Sequence, residues 1–192
     1  MVNIKNELYF SPNYKFIDLN LENRNNLISA FQDRVEGYYL KPTKCLNRLK
    51  AAFATGAMCV ITIDFLSRIE TGINKVGKRF RFWVESYLRE FEKYNQDISL
   101  QLFASRLYEE FRNGLVHEGR IKEASQFDYL IDELVIIDGP IMVINPNFLL
   151  KEIVRSFKKY INKLKTDEEI FEKFKENLKE DFQEDWDFIK KS

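Results

Sequence analysis

Apolar residues recur three or four positions apart along most of this chain, which is the spacing of an amphipathic α-helix. The second such stretch is apolar over more than half of its circumference and is therefore predicted to be the buried central helix. Gly37 is expected to end the first helix, and Pro42 to open the second. The pattern predicts a first helix that Asn20 or Asn23 caps and that ends at about residue 36, and further helices at about 43–69 and 78–94. Asp97 or Ser99 is expected to cap the next helix, which runs towards 117, and a C-terminal helical pair follows within 146–192.

The apolar period changes between Gln126 and Asn145. Two short apolar runs, 134–137 and 140–144, flank an Asp-Gly pair, which predicts a β-hairpin at about 132–145. Pro140 has no N–H to donate, so the second strand is expected at the edge of a sheet. Because a two-stranded ribbon is marginally stable alone, we expect it to pack on the helices. Its role is either structural or a contact with a second subunit.

Local signals also mark the ends of several elements. Asn145 followed by Pro146 predicts the cap of the penultimate helix, and Thr166 with Glu169 predicts a capping box for the last one. Residues 1–21 are expected to form an irregular arm held to the core by aromatic side chains. The predicted fold class is thus an all-α helical bundle with a small β-hairpin insertion, in one domain spanning residues 1–192.

Composition and charge place the protein among soluble, reducing-compartment proteins. Formal net charge is zero, so any site for a polyanion must be a local patch. Cys45 and Cys59 fall in one predicted helix, too far apart for a disulfide, and are expected to be buried thiols. The start of the chain lacks an apolar signal core, and the most apolar run, 51–66, is too short to span a bilayer and contains Asp64. A cytoplasmic location without membrane contact is predicted.

The segment from Gly72 to Arg79 nearly matches a phosphate-binding loop, yet it does not predict a nucleotide triphosphatase. Arg79 replaces the hydroxyl residue that holds magnesium, and the loop follows a helix rather than a strand. What remains is a basic loop interleaved with aromatic residues, which could hold a phosphate backbone and stack a base. Alternatively, it is a helix start whose aromatic side chains face inward. The basic residues are Lys75, Lys78, Arg79 and Arg81, and the aromatic ones Phe80, Phe82 and Trp83.

The segment from Phe111 to Arg120 carries the strongest chemical signal, because it contains the only histidine of the chain. Arg112 supplies a permanent planar charge suited to phosphate, His117 can take or give a proton, and Asn113 can donate to a phosphate oxygen. These groups suit metal-free cleavage of RNA, in which His117 acts on the ribose 2′-hydroxyl and Arg112 stabilises the transition state. Arg120 follows as a possible contact to RNA. No metal ligand set or cofactor is predicted, because a single histidine disfavours a transition-metal site.

Two properties of this segment oppose the catalytic interpretation. Residues five apart lie roughly 140° apart around an α-helix, so Arg112 and His117 converge poorly unless Gly114 distorts the helix or another chain completes the site. Moreover, an arginine or histidine near a helix end often serves as a cap or in an ion pair, for which Glu118 is the obvious partner. The role of Asp64 is also undecided from the sequence: its carboxylate either reaches water at the helix edge or orients Arg112 or His117.

The run Arg112-Asn113-Gly-Leu-Val-His117 resembles the R-x4-H motif of the HEPN superfamily, with a polar residue after the arginine. The resemblance covers the motif, the helix that bears it and the helix-rich pattern. It implies a HEPN-like helical bundle that dimerises, so that two motifs line one cleft. Many members are metal-independent endoribonucleases in toxin–antitoxin, phage-defence or CRISPR systems, and others only bind.

Gly119 is a departure from one toxin subgroup of that superfamily. There the motif continues to a tyrosine that a partner nucleotidyltransferase modifies, so this control is not supported here. Three hypotheses follow from the sequence: a homodimeric ribonuclease, a non-catalytic RNA- or nucleotide-binding module, and an interaction protein within a defence or antitoxin pair.

Overall fold

The fold is mostly helical, and a computed structural model describes it for residues 8–88 and 98–190. The α-helices are α1 (Arg24–Arg34), α2 (Lys41–Arg48), α3 (Ala52–Thr71), α4 (Val76–Tyr87), α5 (Leu100–Arg106), α6 (Pro146–Thr166), α7 (Glu168–Asp181) and α8 (Gln183–Lys190). Wider π-helical turns form Val35–Leu40, Leu107–Arg112 and Gly114–Glu118. The strands are β1 (Tyr9–Ser11), β2 (Tyr14–Lys15), β3 (Gln126–Phe127), β4 (Val135–Asp138) and β5 (Ile141–Ile144).

Helix α3 is the buried central helix that the sequence predicts. It packs against α2, α4, α6 and α7. Its contributions to one continuous hydrophobic core are Cys59, Val60, Ile63, Leu66 and Ile69. The predicted start at residue 43 is wrong, because the chain turns between α2 and α3. Lys50 adopts a left-handed conformation (φ 55°), and the Ala51 N–H bonds to the Leu46 carbonyl (3.1 Å), as at many helix ends. No glycine marks this turn.

The prediction that Gly37 ends the first helix is also wrong. Helical backbone continues from α1 through Val35–Leu40 into α2. A Cβ on Gly37 would lie 2.3 Å from Pro12 Cγ, so this glycine lets the N-terminal segment lie against the helix. Where the structure describes that segment, Tyr9–Lys15 form a small β1–β2 hairpin rather than an irregular arm, and Phe10 is fully buried.

The predicted β-hairpin is confirmed. β4 and β5 pair antiparallel from Val135↔Ile144 to Asp138↔Ile141. The edge position predicted for the second strand is wrong, because β3 pairs in parallel with the other side of β5. Pro140 lies in the turn and therefore leaves every N–H of β5 available for pairing.

Polar contacts, buried at Ser125, attach this sheet to the helix that leads into the Arg112 motif. Ser125 Oγ donates to Glu110 Oε2 (2.6 Å) and accepts from the Met142 N–H (2.9 Å). Arg106 Nη2 donates to the Pro140 carbonyl (2.6 Å). The hairpin thus has a structural role in supporting that helix.

One of the two predicted cap candidates is found at the starts of α1 and α5, the cap predicted for α6 is confirmed, and the cap predicted for α7 is wrong. The side chains of Asn23, Ser99 and Asn145 accept from backbone N–H groups at the starts of α1, α5 and α6. Asp167, not Thr166, caps α7, because helix α6 continues through Thr166. The predicted extension of α4 to residue 94 lies outside the described residues.

Helix α3 has the length and apolar composition needed to cross a membrane, contrary to the estimate from residues 51–66. Half of its most apolar window is nevertheless buried inside the protein, which is compatible with the core helix of a soluble protein. The cysteines differ from prediction too. Cys59 is buried in α3, whereas Cys45 is exposed on α2, and both are free thiols.

Candidate functional site

The Arg112 motif lies in two π-helical segments, Leu107–Arg112 and Gly114–Glu118. The Asn113 N–H bonds to the Tyr108 carbonyl, and the Gly119 N–H to the Gly114 carbonyl, each five residues back. In such a turn, residues five apart become neighbours along one face. Arg112 Nη1 consequently lies 3.4 Å from His117 Nε2. The divergence expected for a straight α-helix is absent, and helix distortion within one chain brings the pair together.

Gly114 makes this arrangement possible because the chain returns directly across it. After Gly119 (φ 67°) reverses the backbone, the Arg120 N–H bonds to the Gly114 carbonyl (3.3 Å) and the Lys122 N–H to the Glu110 carbonyl (3.0 Å). A Cβ on Gly114 would lie 2.4 Å from the Arg120 carbonyl oxygen. The obstacle is backbone, which cannot turn aside as a flexible side chain can.

Replacing Gly114 with alanine is therefore expected to lower the free energy of unfolding by about 1–3 kcal/mol, the usual cost of overpacking. The measurement is urea unfolding, combined with hydrogen exchange at the Arg120 and Lys122 amides, which should become faster. Gly139→Ala is the control for the exchange measurement. Its φ of 55° also makes alanine unfavourable, but its Cβ meets nothing within 4 Å and its turn is distant in sequence, so exchange at the Arg120 and Lys122 amides should not change. Unchanged exchange at both amides in Gly114→Ala would contradict the close crossing.

Asp64 of α3 holds two arginines, one on each carboxylate oxygen. Its Oδ2 accepts from Arg112 Nε (3.0 Å) and Nη2 (2.6 Å), and its Oδ1 from Arg79 Nε (3.2 Å) and Nη2 (2.8 Å). Of the two interpretations of Asp64, the geometry thus agrees with the carboxylate that orients Arg112. Arg79 is fixed further by the carbonyls of Ile73 and Asn74 (3.2 Å each). The group carries one net positive charge.

Asn113 steadies the other side of the Arg112 guanidinium. Its Oδ1 accepts from Arg112 Nη1 (3.3 Å), and its Nδ2 donates to Glu109 Oε2 (3.1 Å). Glu109 also lies 3.9 Å from Arg81 of α4. The Tyr108 ring packs beneath both cations, with the Arg81 and Arg112 guanidinium carbons 5.5 and 6.0 Å from its centre.

The contact between Arg112 and His117 places the imidazole against the free edge of the guanidinium. A guanidinium can only donate, so a hydrogen bond at this contact uses His117 Nε2 as its acceptor. The His117 side chain is exposed, and its Nε2 lies beside a fixed cation. A phosphodiester at this point would meet a positive charge and an imidazole together.

Glu118 does not form the ion pair with Arg112 or His117 that the simpler interpretation expects. Among the residues that the structure describes, Glu118 pairs instead with Arg120 (2.7 Å) and Lys122 (2.6 Å). The hydrogen bond from the Lys122 ammonium is the main cause that lowers the pKa of Glu118 from its usual value. Arg120 is exposed and engaged with Glu118, so it belongs to the turn after the motif.

The basic segment from Lys75 to Trp83 forms the start of α4, and its side chains divide into an outward-facing and an inward-facing set. Lys75 and Lys78 are exposed, as a contact to RNA requires, whereas Arg79 is buried on Asp64 and differs from the expectation. Phe80 and Trp83 are also buried and belong to the core. Only Phe82 of the three aromatic residues is exposed, so the interpretation of an inward-facing helix start holds for the other two.

A cleft of about 350 Å³ opens above this arrangement, between α3, α4 and the motif. Apolar walls from Ile61, Phe65 and Val116 stand beside the polar groups of Asp64, Arg79 and Arg112, with Arg68 at one side. This combination suits a ligand that has an anionic group and an apolar or planar body. Within residues 8–88 and 98–190, no three His, Cys, Asp or Glu side chains cluster as a metal site.

Sequence reasoning missed three participants, Arg79 as a partner of Asp64, and Tyr108 and Glu109 as supports. Tyr108 and Glu109 stand four residues before Arg112 and Asn113, a spacing that places helical side chains in contact and could have identified them. No local signal joins Arg79 to Asp64, because they lie on different helices.

Comparison with protein-family models, curated proteins and solved structures finds no match to this chain.

Proposed function

We propose that this protein is a metal-independent endoribonuclease of HEPN type, with Arg112, His117 and Asn113 as its catalytic residues. The observation that carries the proposal is the 3.4 Å contact between Arg112 Nη1 and His117 Nε2, with Arg112 fixed on Asp64. Asp64 serves as a positioning residue, because it occupies Nε and Nη2 and leaves Nη1 directed towards His117.

In the proposed reaction, His117 Nε2 removes the proton from a ribose 2′-hydroxyl. The 2′-oxygen then attacks the adjacent phosphorus, and the bond from phosphorus to the 5′-oxygen breaks. Arg112 stabilises the negative charge that accumulates on the phosphoryl oxygens. Protonation of the leaving oxygen completes the reaction, which yields a 2′,3′-cyclic phosphate and a 5′-hydroxyl. DNA lacks the attacking hydroxyl and is not cleaved.

A second copy of the chain is proposed to complete the site and to supply the proton for the leaving oxygen. The apolar rim of the cleft supports this proposal, since Ile61 and Val116 are 43% and 50% exposed. Exposed apolar side chains of this kind mark contact surfaces. A dimer formed here would bring two Arg112–His117 pairs to one groove, as the HEPN resemblance implies.

The biological setting is proposed from the resemblance alone. It is a cytoplasmic toxin–antitoxin or phage-defence system, in which an antitoxin or other defence protein restrains the nuclease. Lys75, Lys78 and Arg81 of α4 and the preceding loop are the nearest candidates to guide RNA towards the cleft. Phe82, exposed on the same helix, could stack a base.

The decisive experiment incubates the purified protein with single-stranded and structured RNA in excess EDTA. We expect cleavage with 2′,3′-cyclic phosphate ends, and none of an RNA with a 2′-deoxy nucleotide at the cleaved position. Light scattering on the same preparation should give twice the mass of the chain. Binding of RNA without cleavage would support the non-catalytic binding module instead, and cleavage of the deoxy-substituted RNA would contradict the mechanism.

A further inference from the structure

A second positively charged surface lies on helix α6, and it shares no residue with the Arg112 cleft. Five exposed positions recur at intervals of four and three residues, which places them on one side of the helix. The first and the last are 14 positions apart, or roughly 21 Å along the helix. This α6 stripe consists of Lys151, Arg155, Lys158, Asn162 and Lys165.

Two adjoining clefts lie along the α6 stripe. The larger, of about 460 Å³, is lined by Lys151, Arg155 and Lys158 and faces Lys44 of α2. The smaller, of about 210 Å³, is lined by Lys158 and Lys165 together with Glu36. Lys158 lines both clefts, so the two adjoin at this residue, and together they are called the α6 groove.

Most of the positive charge in this groove is not neutralised by neighbouring acids. Arg155 pairs with Glu152, but the ion pairs between described residues include none of Lys44, Lys151 and Lys158. The net charge of the whole chain is zero, so this local cluster of positive charges is what would attract a polyanion.

We infer that the α6 stripe binds the phosphate backbone of an extended single-stranded nucleic acid. Its length favours a chain of phosphates over a single nucleotide, whose phosphates would engage only one end. The larger cleft has no aromatic lining, so it offers phosphate contacts without base stacking, and binding should be independent of sequence. That the natural ligand is RNA rests on the proposed function, in which the stripe holds substrate away from the catalytic cleft.

The test measures binding without requiring cleavage. Fluorescence anisotropy follows a labelled single-stranded RNA of about 20 nucleotides with the His117→Ala protein, at several salt concentrations. Adding Lys151→Glu and Lys158→Glu should weaken binding at least tenfold. The slope of log affinity against log salt should fall by about 1.4, since each phosphate contact in a single strand contributes about 0.7. Single-stranded DNA should show the same loss, because the contacts are to phosphate.

The matched control is Lys179→Glu with Lys190→Glu, which makes the same charge change at exposed positions of α7 and α8. If the control weakens binding as much as the stripe variant, the inference is overturned. It is overturned as well if the His117→Ala protein binds no nucleic acid, or binds only anionic phospholipid vesicles. Lys44→Glu, on the facing helix, provides a second variant should the first fail to fold.

Failure of the nuclease proposal is a separate result. If the unsubstituted protein cleaves no RNA but loses binding when the stripe is reversed, the catalytic proposal fails and the α6 stripe stands. If the unsubstituted protein cleaves RNA but the stripe variant binds RNA as tightly as the control variant does, the catalytic proposal stands and the inference about the α6 stripe fails.

Discussion

Replacing His117 with alanine is expected to reduce the rate of RNA cleavage in EDTA by about 10²- to 10⁴-fold, the usual contribution of a general acid–base group. His117 is the only histidine of the chain, so no second histidine of the same protomer can replace it. Its side chain is exposed, and the substitution should leave the fold intact. Single-turnover cleavage of a fluorescent RNA measures the effect.

Two controls separate loss of chemistry from loss of binding. The His117→Ala protein should bind RNA with nearly unchanged affinity, because the fixed charge of Arg112 remains. Free imidazole added to the buffer should restore part of the rate, since a small base can enter the space that the side chain leaves. Cleavage at the original rate in His117→Ala would assign the activity to another site or to a contaminant.

The fold could be predicted from the sequence wherever the signal was local. Asn145 was predicted as a cap, and Asn23 and Ser99 were each one of two candidates, because side chains of this kind bind N–H groups two or three residues ahead. The apolar surface of α3 likewise predicted its central position. Errors arose where distant residues decide the conformation. Pro12 explains the role of Gly37, and the turn at Lys50 has no glycine to reveal it.

The candidate site shows the same division. The residue types of Arg112, Asn113 and His117 were apparent in the sequence, but their geometry was not, because ideal α-helix spacing separates residues that a π-helical turn brings together. Sequence left the orientation of Asp64 undecided. Its two arginines lie 15 and 48 residues away, and only the packing of α3 against α4 and the motif helix joins them.

Replacing Asp64 with alanine is expected to lower the free energy of unfolding by about 3–5 kcal/mol, because two largely buried guanidinium groups lose their shared counter-charge. The side chains of Asp64, Arg112 and Arg79 are only 17%, 12% and 8% exposed. Urea unfolding measures the change as a lower midpoint with an unchanged slope. Glu172→Ala is the matched control: its pair with Lys175 is more exposed, so its loss should cost at most about 1 kcal/mol.

The origin of that cost can be tested with Arg79→Met. If the penalty of Asp64→Ala comes from unpaired buried charge, it should be smaller by about 0.5–3 kcal/mol when Arg79 is already methionine, since one guanidinium then remains instead of two. An equal penalty in both backgrounds would show that Asp64 acts through packing alone.

In Asp64→Asn, which keeps the shape and one acceptor oxygen, the cleavage rate should fall more than affinity for RNA. That difference is expected of a residue that positions Arg112 for the transition state and is not expected of one that only stabilises the fold.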